Sequence, residues 1–185
     1  MNMAKICKIY PDIEECFNED FLWQLYRTNL KIQNTDYVKS MKITTPECHA
    51  LEFGTIKLSC SRRSGHTRSI VYLSKYLEGE WLFFSHNACS VNQLRLAILN
   101  ELRGDGFKHN KHMIINNQLI QTKNQCFNFY SYPALEKNKI HFGNHKFKGV
   151  ICDMASILSQ TIIDRIYKLQ INMSSHPTQH FIFVG

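Results

Sequence analysis

The sequence predicts an α/β fold, a three-layer sandwich built on a mostly parallel sheet. Three observations carry this. Apolar runs of strand length end at Cys60, Ser85, Asp153 and Val184. Stretches with apolar residues at helical spacing lie between them. Trp81–Phe84 and Val150–Cys152 are apolar without alternation, as strands covered on both faces are. Strand and helix in alternation give parallel strands joined by crossovers. All their carboxyl ends then lie along one edge, where open α/β sheets bind ligands.

Taken in order, Asn18 followed by Glu19 and Asp20 reads as a helix cap with an acidic first turn. Leu22, Leu25, Tyr26 and Leu30 share one face of that helix, and Asn34–Pro46 is a polar connection. Thr55–Cys60 alternates, with Ile56, Leu58 and Cys60 on one side; Ile70, Leu73 and Leu77 then mark a helix. After the strand at Trp81–Ser85, Ser90 and Gln93 form a capping box. Val91, Leu94, Ile98 and Leu102 make the buried stripe of that helix, and Gly104 is its stop. His112–Ile115 and Cys126–Tyr130 are shorter strands. Gly149–Asp153 is a buried strand ending in a carboxylate. Leu158, Ile162, Ile166 and Leu169 follow at helical spacing, and Phe181–Val184 is the last strand. The expected organisation is one domain over residues 1–185, with a helical region and connection at 1–46 and the core at 47–185.

Composition sets the class. Hydrophobic content of 44% with 20% charged residues is that of a globular chain and excludes a disordered one. The net charge of +7 favours an acidic partner, whether nucleic acid, nucleotide or protein. The Cys count is 7, odd and scattered, with no C-x-x-C, which argues against a zinc ribbon or a thioredoxin-like site. Reduced thiols in an intracellular, cytoplasmic compartment are the expectation, with Cys60, Cys89 and Cys152 as small buried hydrophobes. Met1–Tyr10 lacks a signal-peptide core, and no apolar run approaches membrane-spanning length, so no membrane partner is expected.

The chemistry concentrates between the first strand and the next helix. Cys60–Thr67 has the spacing of G-x-x-x-x-G-K-[ST], with Gly65 and Thr67 in place, Cys60 at the first Gly and His66 at the Lys. Such a loop holds phosphate through backbone N–H groups and the positive end of the following helix. The expected phosphate-binding residues are Ser61, Arg62, Arg63, Ser64, Gly65, His66, Thr67 and Arg68. Thr67 would offer its hydroxyl to Mg²⁺, and Asp153, at the end of a buried strand, would supply the metal-binding and catalytic carboxylate. A histidine is shorter than lysine and carries no fixed charge near pH 7. Arg62, Arg63 and Arg68 would supply fixed charge from other angles. Met154 follows Asp153, and a thioether cannot orient or deprotonate water. The implied fold is P-loop NTPase-like and the implied ligands are ATP and Mg²⁺. The bland reading is an ordinary basic turn capped by Thr67 or Ser64, with Asp153 a solvated strand end or a helix cap.

Ser61–Thr67 resembles the S-R-x-x-G-K-[ST] loop of viral terminase large subunits, the DNA-packaging ATPases. Trp81–Ser85 followed by Gln93 is similar to the strand and helix after that loop. Phe147–Ala155 is similar to a terminase-type F-x-G-h-h-h-D-E-A with Met154 in the Glu place, and Phe181–Gly185 looks like the strand before the coupling motif. The resemblance covers roughly residues 50–185, the ATPase core. Superfamily-two helicase cores share much of this layout. A terminase would continue beyond Gly185 into more core and a nuclease domain, so the expectation is a small viral relative in the host cytoplasm rather than a packaging motor.

Other motifs are weaker. His109 and His112, like His141, His145 and Lys146, read as solvated basic loops able to touch phosphate backbone. Phe127, Phe129, Tyr130 and Tyr132 could stack bases but read better as core. The leading expectation is a degenerate nucleotide-binding protein with weak or no ATP hydrolysis. The alternative is a non-enzymatic nucleic-acid- or protein-binding regulatory protein on the same fold. A nucleotide-dependent transferase ranks below both, since no acceptor site is visible.

Overall fold

Trp81, Leu82, Phe83 and Phe84 turn alternate side chains to opposite faces of strand β2 (Gly79–Ser85), and all four are buried. That alternation organises the molecule. A computed structural model describes residues 19–40, 46–59, 65–104, 114–137, 147–173 and 180–185. Their elements run α1 (Phe21–Gln33), α2 (Asp36–Ser40), α3 (Pro46–Glu52), β1 (Thr55–Leu58), α4 (His66–Ser74), β2, α5 (Ala88–Gly104), β3 (Ile114–Ile115), β4 (Leu119–Gln121), β5 (Gln125–Ser131), α6 (Tyr132–Glu136), β6 (Phe147–Asp153), a 3-10 turn (Ala155–Ile157), α7 (Gln160–Met173) and β7 (His180–Val184). The strands form one sheet in the order β1-β7-β6-β2-β5-β4-β3. The first five in that order are parallel; β4 and β3 add antiparallel at one side.

Helices cover both faces of this sheet. On one face Trp81, Phe83, Phe127, Phe129, Ile151 and Ile182 pack against α1, α4 and α5. On the other, Leu82, Phe84, Val150, Cys152, Phe181 and Phe183 pack against Ala50 of α3, Tyr132 and Leu135 of α6, and Ile166 and Tyr167 of α7. Fully burying a large apolar side chain contributes about 1.5–3 kcal/mol, against about 1 kcal/mol for a net hydrogen bond. The aromatic centre of the sheet therefore dominates stability. The arrangement is the expected three-layer α/β sandwich with a mixed, mostly parallel sheet. Among the described residues, no helix is long and apolar enough to cross a membrane.

The amino ends of the strands are closed off. Trp81 lies directly over Gly149, where an added Cβ would come within 2.3 Å of the ring. Tyr26 meets Trp81 and His180 edge-on. The Gln125 side chain donates to the carbonyls of Ser74 and Leu77 at 3.1 and 2.8 Å, tying β5 to the end of α4.

Several local expectations are corrected. Asn34–Pro46 is not wholly a connection, because α2 forms within it and turns Val38 into the core. α5 begins at Ala88, with Asn87 rather than Ser90 at its start: Asn87 Oδ1 accepts from the Ser90 N–H at 2.9 Å. Leu158 precedes α7 instead of opening it. Cys89 is exposed on α5, whereas Cys152 is buried as expected. Phe127, Phe129 and Tyr132 are core residues, which removes them as base-stacking surface. Asn18, Cys60, His109, His112, His141, His145 and Lys146 lie outside the described residues.

Candidate functional site

The carboxyl ends of the parallel strands fall in one row. Leu58 is level with Val184, and Val184 with Asp153. Phe84 is level with Cys152, which brings Ser85 beside Asp153, and Ser85 is level with Ser131. α4 starts above this row.

Gly65 is the N-cap of α4, with φ 81° and ψ 7°. A left-handed backbone there costs a glycine little and any other residue about 1–2 kcal/mol. Gly65 also has no side chain to accept from the first-turn N–H groups, an arrangement in which a helix start can take an anion from outside. Gly65, His66, Thr67 and Arg68 are described, whereas Ser61, Arg62, Arg63 and Ser64 are not.

The structure brings together two of the expected residues that are 86 positions apart in the chain: Thr67 Oγ1 donates to Asp153 Oδ1 at 3.2 Å. Ser85 Oγ donates to Asp153 Oδ2 at 3.2 Å, so both carboxylate oxygens accept from hydroxyls. His66 Nε2 lies 3.4 Å from Asp153 Oδ1. Asp153 is only 3% exposed. It is neither a solvated strand end nor the cap of the following turn, and Thr67 is not a helix cap. A buried carboxylate needs such donors, because charge without partners is expensive to bury.

The backbone of this acid is also held. Tyr132, at the start of α6, donates to the Asp153 carbonyl at 2.6 Å. Burial, then the nearby Cys152 thiol and Asp153, push the Tyr132 hydroxyl well above the usual phenol range, keeping it a donor. Burial likewise holds the Cys152 thiol protonated, so it is an inert core group. Ser85 and Tyr132 were missed by sequence reasoning. The available signal was position: each sits where a parallel strand runs out beside Asp153.

Met154 has φ 59° and ψ 40°, the one left-handed non-glycine residue among those described. Its strained turn leads straight into the 3-10 turn, against which Gly185 packs; an added Cβ at Gly185 would lie 2.6 Å from the Ala155 nitrogen. The Gly185 N–H donates to the Leu58 carbonyl at 3.0 Å, so β1, β7 and the turn after β6 brace one another. Nothing in the Met154 side chain can orient water. Arg68 is exposed and forms an ion pair with Glu19, beside the start of α1.

Oxygen donors from one hydroxyl and one carboxylate suit Mg²⁺, which commonly takes one or two carboxylates and completes its shell with water and phosphate. Among the described residues no cluster of three or more His, Cys, Asp or Glu could hold a metal by itself. No protein-family model matches the chain, and no curated protein aligns with it significantly.

Proposed function

We propose that the start of α4 and Asp153 form a degenerate phosphate-binding site that takes a nucleotide triphosphate with Mg²⁺ and hydrolyses it weakly or not at all. The observation that carries this is the Thr67–Asp153 hydrogen bond at the carboxyl edge of the sheet. A hydroxyl on the second residue of a helix meets a buried carboxylate from a separate strand, directly below the helix start. Bound phosphate would be held by first-turn N–H groups and the helix dipole. Mg²⁺ would be held by Thr67 and Asp153, where it would neutralise phosphate charge. Ser85 and Tyr132 position Asp153.

The hydrolytic side of the reaction has no matching parts. His66 stands where a lysine would reach the terminal phosphate, and it faces Asp153. Met154 stands where a water-orienting carboxylate would be. Losing one transition-state donor typically costs about 3–4 kcal/mol, or two to three decades in rate. Two are absent, and the losses need not add. The likeness to viral terminase and helicase cores belongs with this proposal and rests on the sequence motifs. The test is a calorimetric titration of Mg²⁺–ATP. Saturable binding is expected, weakened at least about tenfold by Thr67→Ala. Absence of binding would leave the loop a scaffold turn and favour a non-enzymatic role against nucleic acid or protein.

A further inference from the structure

We infer that the free side of β1 and the apolar groove beside it take an extended segment of another protein, added to the sheet as a further strand. β1 is the outer strand of the sheet and pairs only with β7. Successive residues of a strand turn their N–H and C=O groups to opposite sides. The Gly54 carbonyl accepts from the Phe181 N–H at 2.7 Å, and the Leu58 carbonyl from the Gly185 N–H at 3.0 Å. Gly54, Ile56 and Leu58 therefore serve β7, and Thr55 and Lys57 turn their main-chain groups outward. Among the described residues nothing pairs with those groups. The strand at the other side of the sheet, β3, has two residues and is a poor template. β1 has four, Thr55–Leu58, and offers its outward groups to a partner strand.

The second observation is the groove. It holds about 230 Å³ beside the end of β1 and is lined by Leu58, Ala155, Ile163 and Phe183, with Lys57 and Ser156 at its polar positions. Small-molecule sites commonly hold about 300–1,000 Å³, so this one suits a single large apolar side chain. Lys57 lies on the same face, its Nζ 5.9 Å from the centre of the Phe183 ring. It pairs with no carboxylate among the described residues. A strand laid parallel to β1, about 4.8 Å away, shares its faces residue by residue. Residues level with Thr55, Lys57 and Ser59 would face the groove. Those level with Ile56 and Leu58 would cover these two half-buried side chains on the α1 face. The occupant is thereby specified: an acidic residue level with Lys57, a large apolar one two places on, and β-branched residues between. A second copy of this chain does not fit. Its β1, Thr-Ile-Lys-Leu, has no carboxylate and would bring two lysines to one face.

The test is an NMR titration of the whole labelled chain with the blocked peptide Thr-Val-Glu-Val-Phe-Thr-Ser, which sets Glu level with Lys57 and Phe at the groove. Saturable shifts are expected at the Thr55–Ser59 amides, with slowed hydrogen exchange at the Lys57 N–H. Lys57→Pro removes the outward N–H and no bond to β7, so the fold should hold while binding weakens at least about tenfold. Lys57→Gln keeps that N–H and should weaken binding less, through lost charge alone. Ser156→Phe fills the groove from an exposed position, should weaken binding as the proline does, and decides the matter if the proline variant does not fold. No saturable shift at Thr55–Ser59, or shifts unchanged in both Lys57→Pro and Ser156→Phe, would overturn the inference. Concentration-dependent shifts at these amides without peptide would make a second copy the occupant and overturn it too.

Discussion

The two edges of the sheet are built by different physics. At the amino edge, order comes from volume: Trp81 lies on Gly149 with no room for a methyl group, and Tyr26 and His180 close around the indole. At the carboxyl edge, order comes from hydrogen bonds: Thr67, Ser85 and Tyr132 converge on one aspartate. The same strand, β6, runs from one regime to the other within seven residues. The contrast teaches where ligand chemistry can sit. Shape-filling apolar contacts leave no group to offer a ligand, whereas oriented donors around a buried charge can exchange partners.

The comparison makes its strongest claim at the amino edge. Trp81→Ala should cost about 3–5 kcal/mol of stability and leave nucleotide affinity per folded molecule unchanged. Gly149→Ala alone should cost about 1–3 kcal/mol through overpacking, and much less in the Trp81→Ala background, since the clash is with that ring. Denaturant unfolding of the four proteins measures the coupling. Additive losses would break the comparison.

At the carboxyl edge the balance reverses. Tyr132→Phe should cost about 1–3 kcal/mol by leaving the buried Asp153 carbonyl without its donor. Ser85→Ala should cost a similar amount, about 1.5–3 kcal/mol, because it leaves a buried carboxylate oxygen without its donor. Both should weaken Mg²⁺-dependent nucleotide binding by more than their effect on unfolding implies. Calorimetry alongside thermal unfolding separates the two effects, and a change in stability alone would make the site purely structural.

Alkaline pH gives the smallest effect. Burial, and then the charge of Glu78, push the Tyr26 hydroxyl up to about 12. The unfolded chain loses this proton near pH 10, while the folded protein keeps it until about pH 12. The stability this group contributes is therefore full below pH 10 and is lost as pH rises through that window. Tyr26→Phe should flatten the decline in melting temperature, and an identical slope would show that Tyr26 does not drive it.

Where a residue's signal was local, the sequence showed it. Phe83 and Val150 sit in apolar runs that fit only covered strands, and Gly65 and Thr67 sit at a strand-to-helix turn. β4 was not legible, because Leu119–Gln121 has three residues and pairs antiparallel through contacts distant in sequence. Asn87 was passed over because Ser90 with Gln93 also satisfies a capping pattern; which residue starts the helix depends on where β2 releases the chain. Ser85 and Tyr132 carry no motif. Their roles follow from strand order, and β6 lies beside β2 while β7 separates it from β1. Arg68 reads with the loop because it adjoins it; its pairing with Glu19 depends on where the start of α1 lies, which no local signal shows.

The central claim is that the carboxyl edge holds phosphate without the parts that break it down. Phosphate release at saturating Mg²⁺–ATP, by the native chain and by the double variant His66→Lys with Met154→Glu, tests it most directly. Turnover by the native chain should lie two or more decades below that of an ordinary motor ATPase at about 1–100 per second, and the double variant should raise it. Native turnover in the ordinary range, unaffected by Thr67→Ala, would contradict the account.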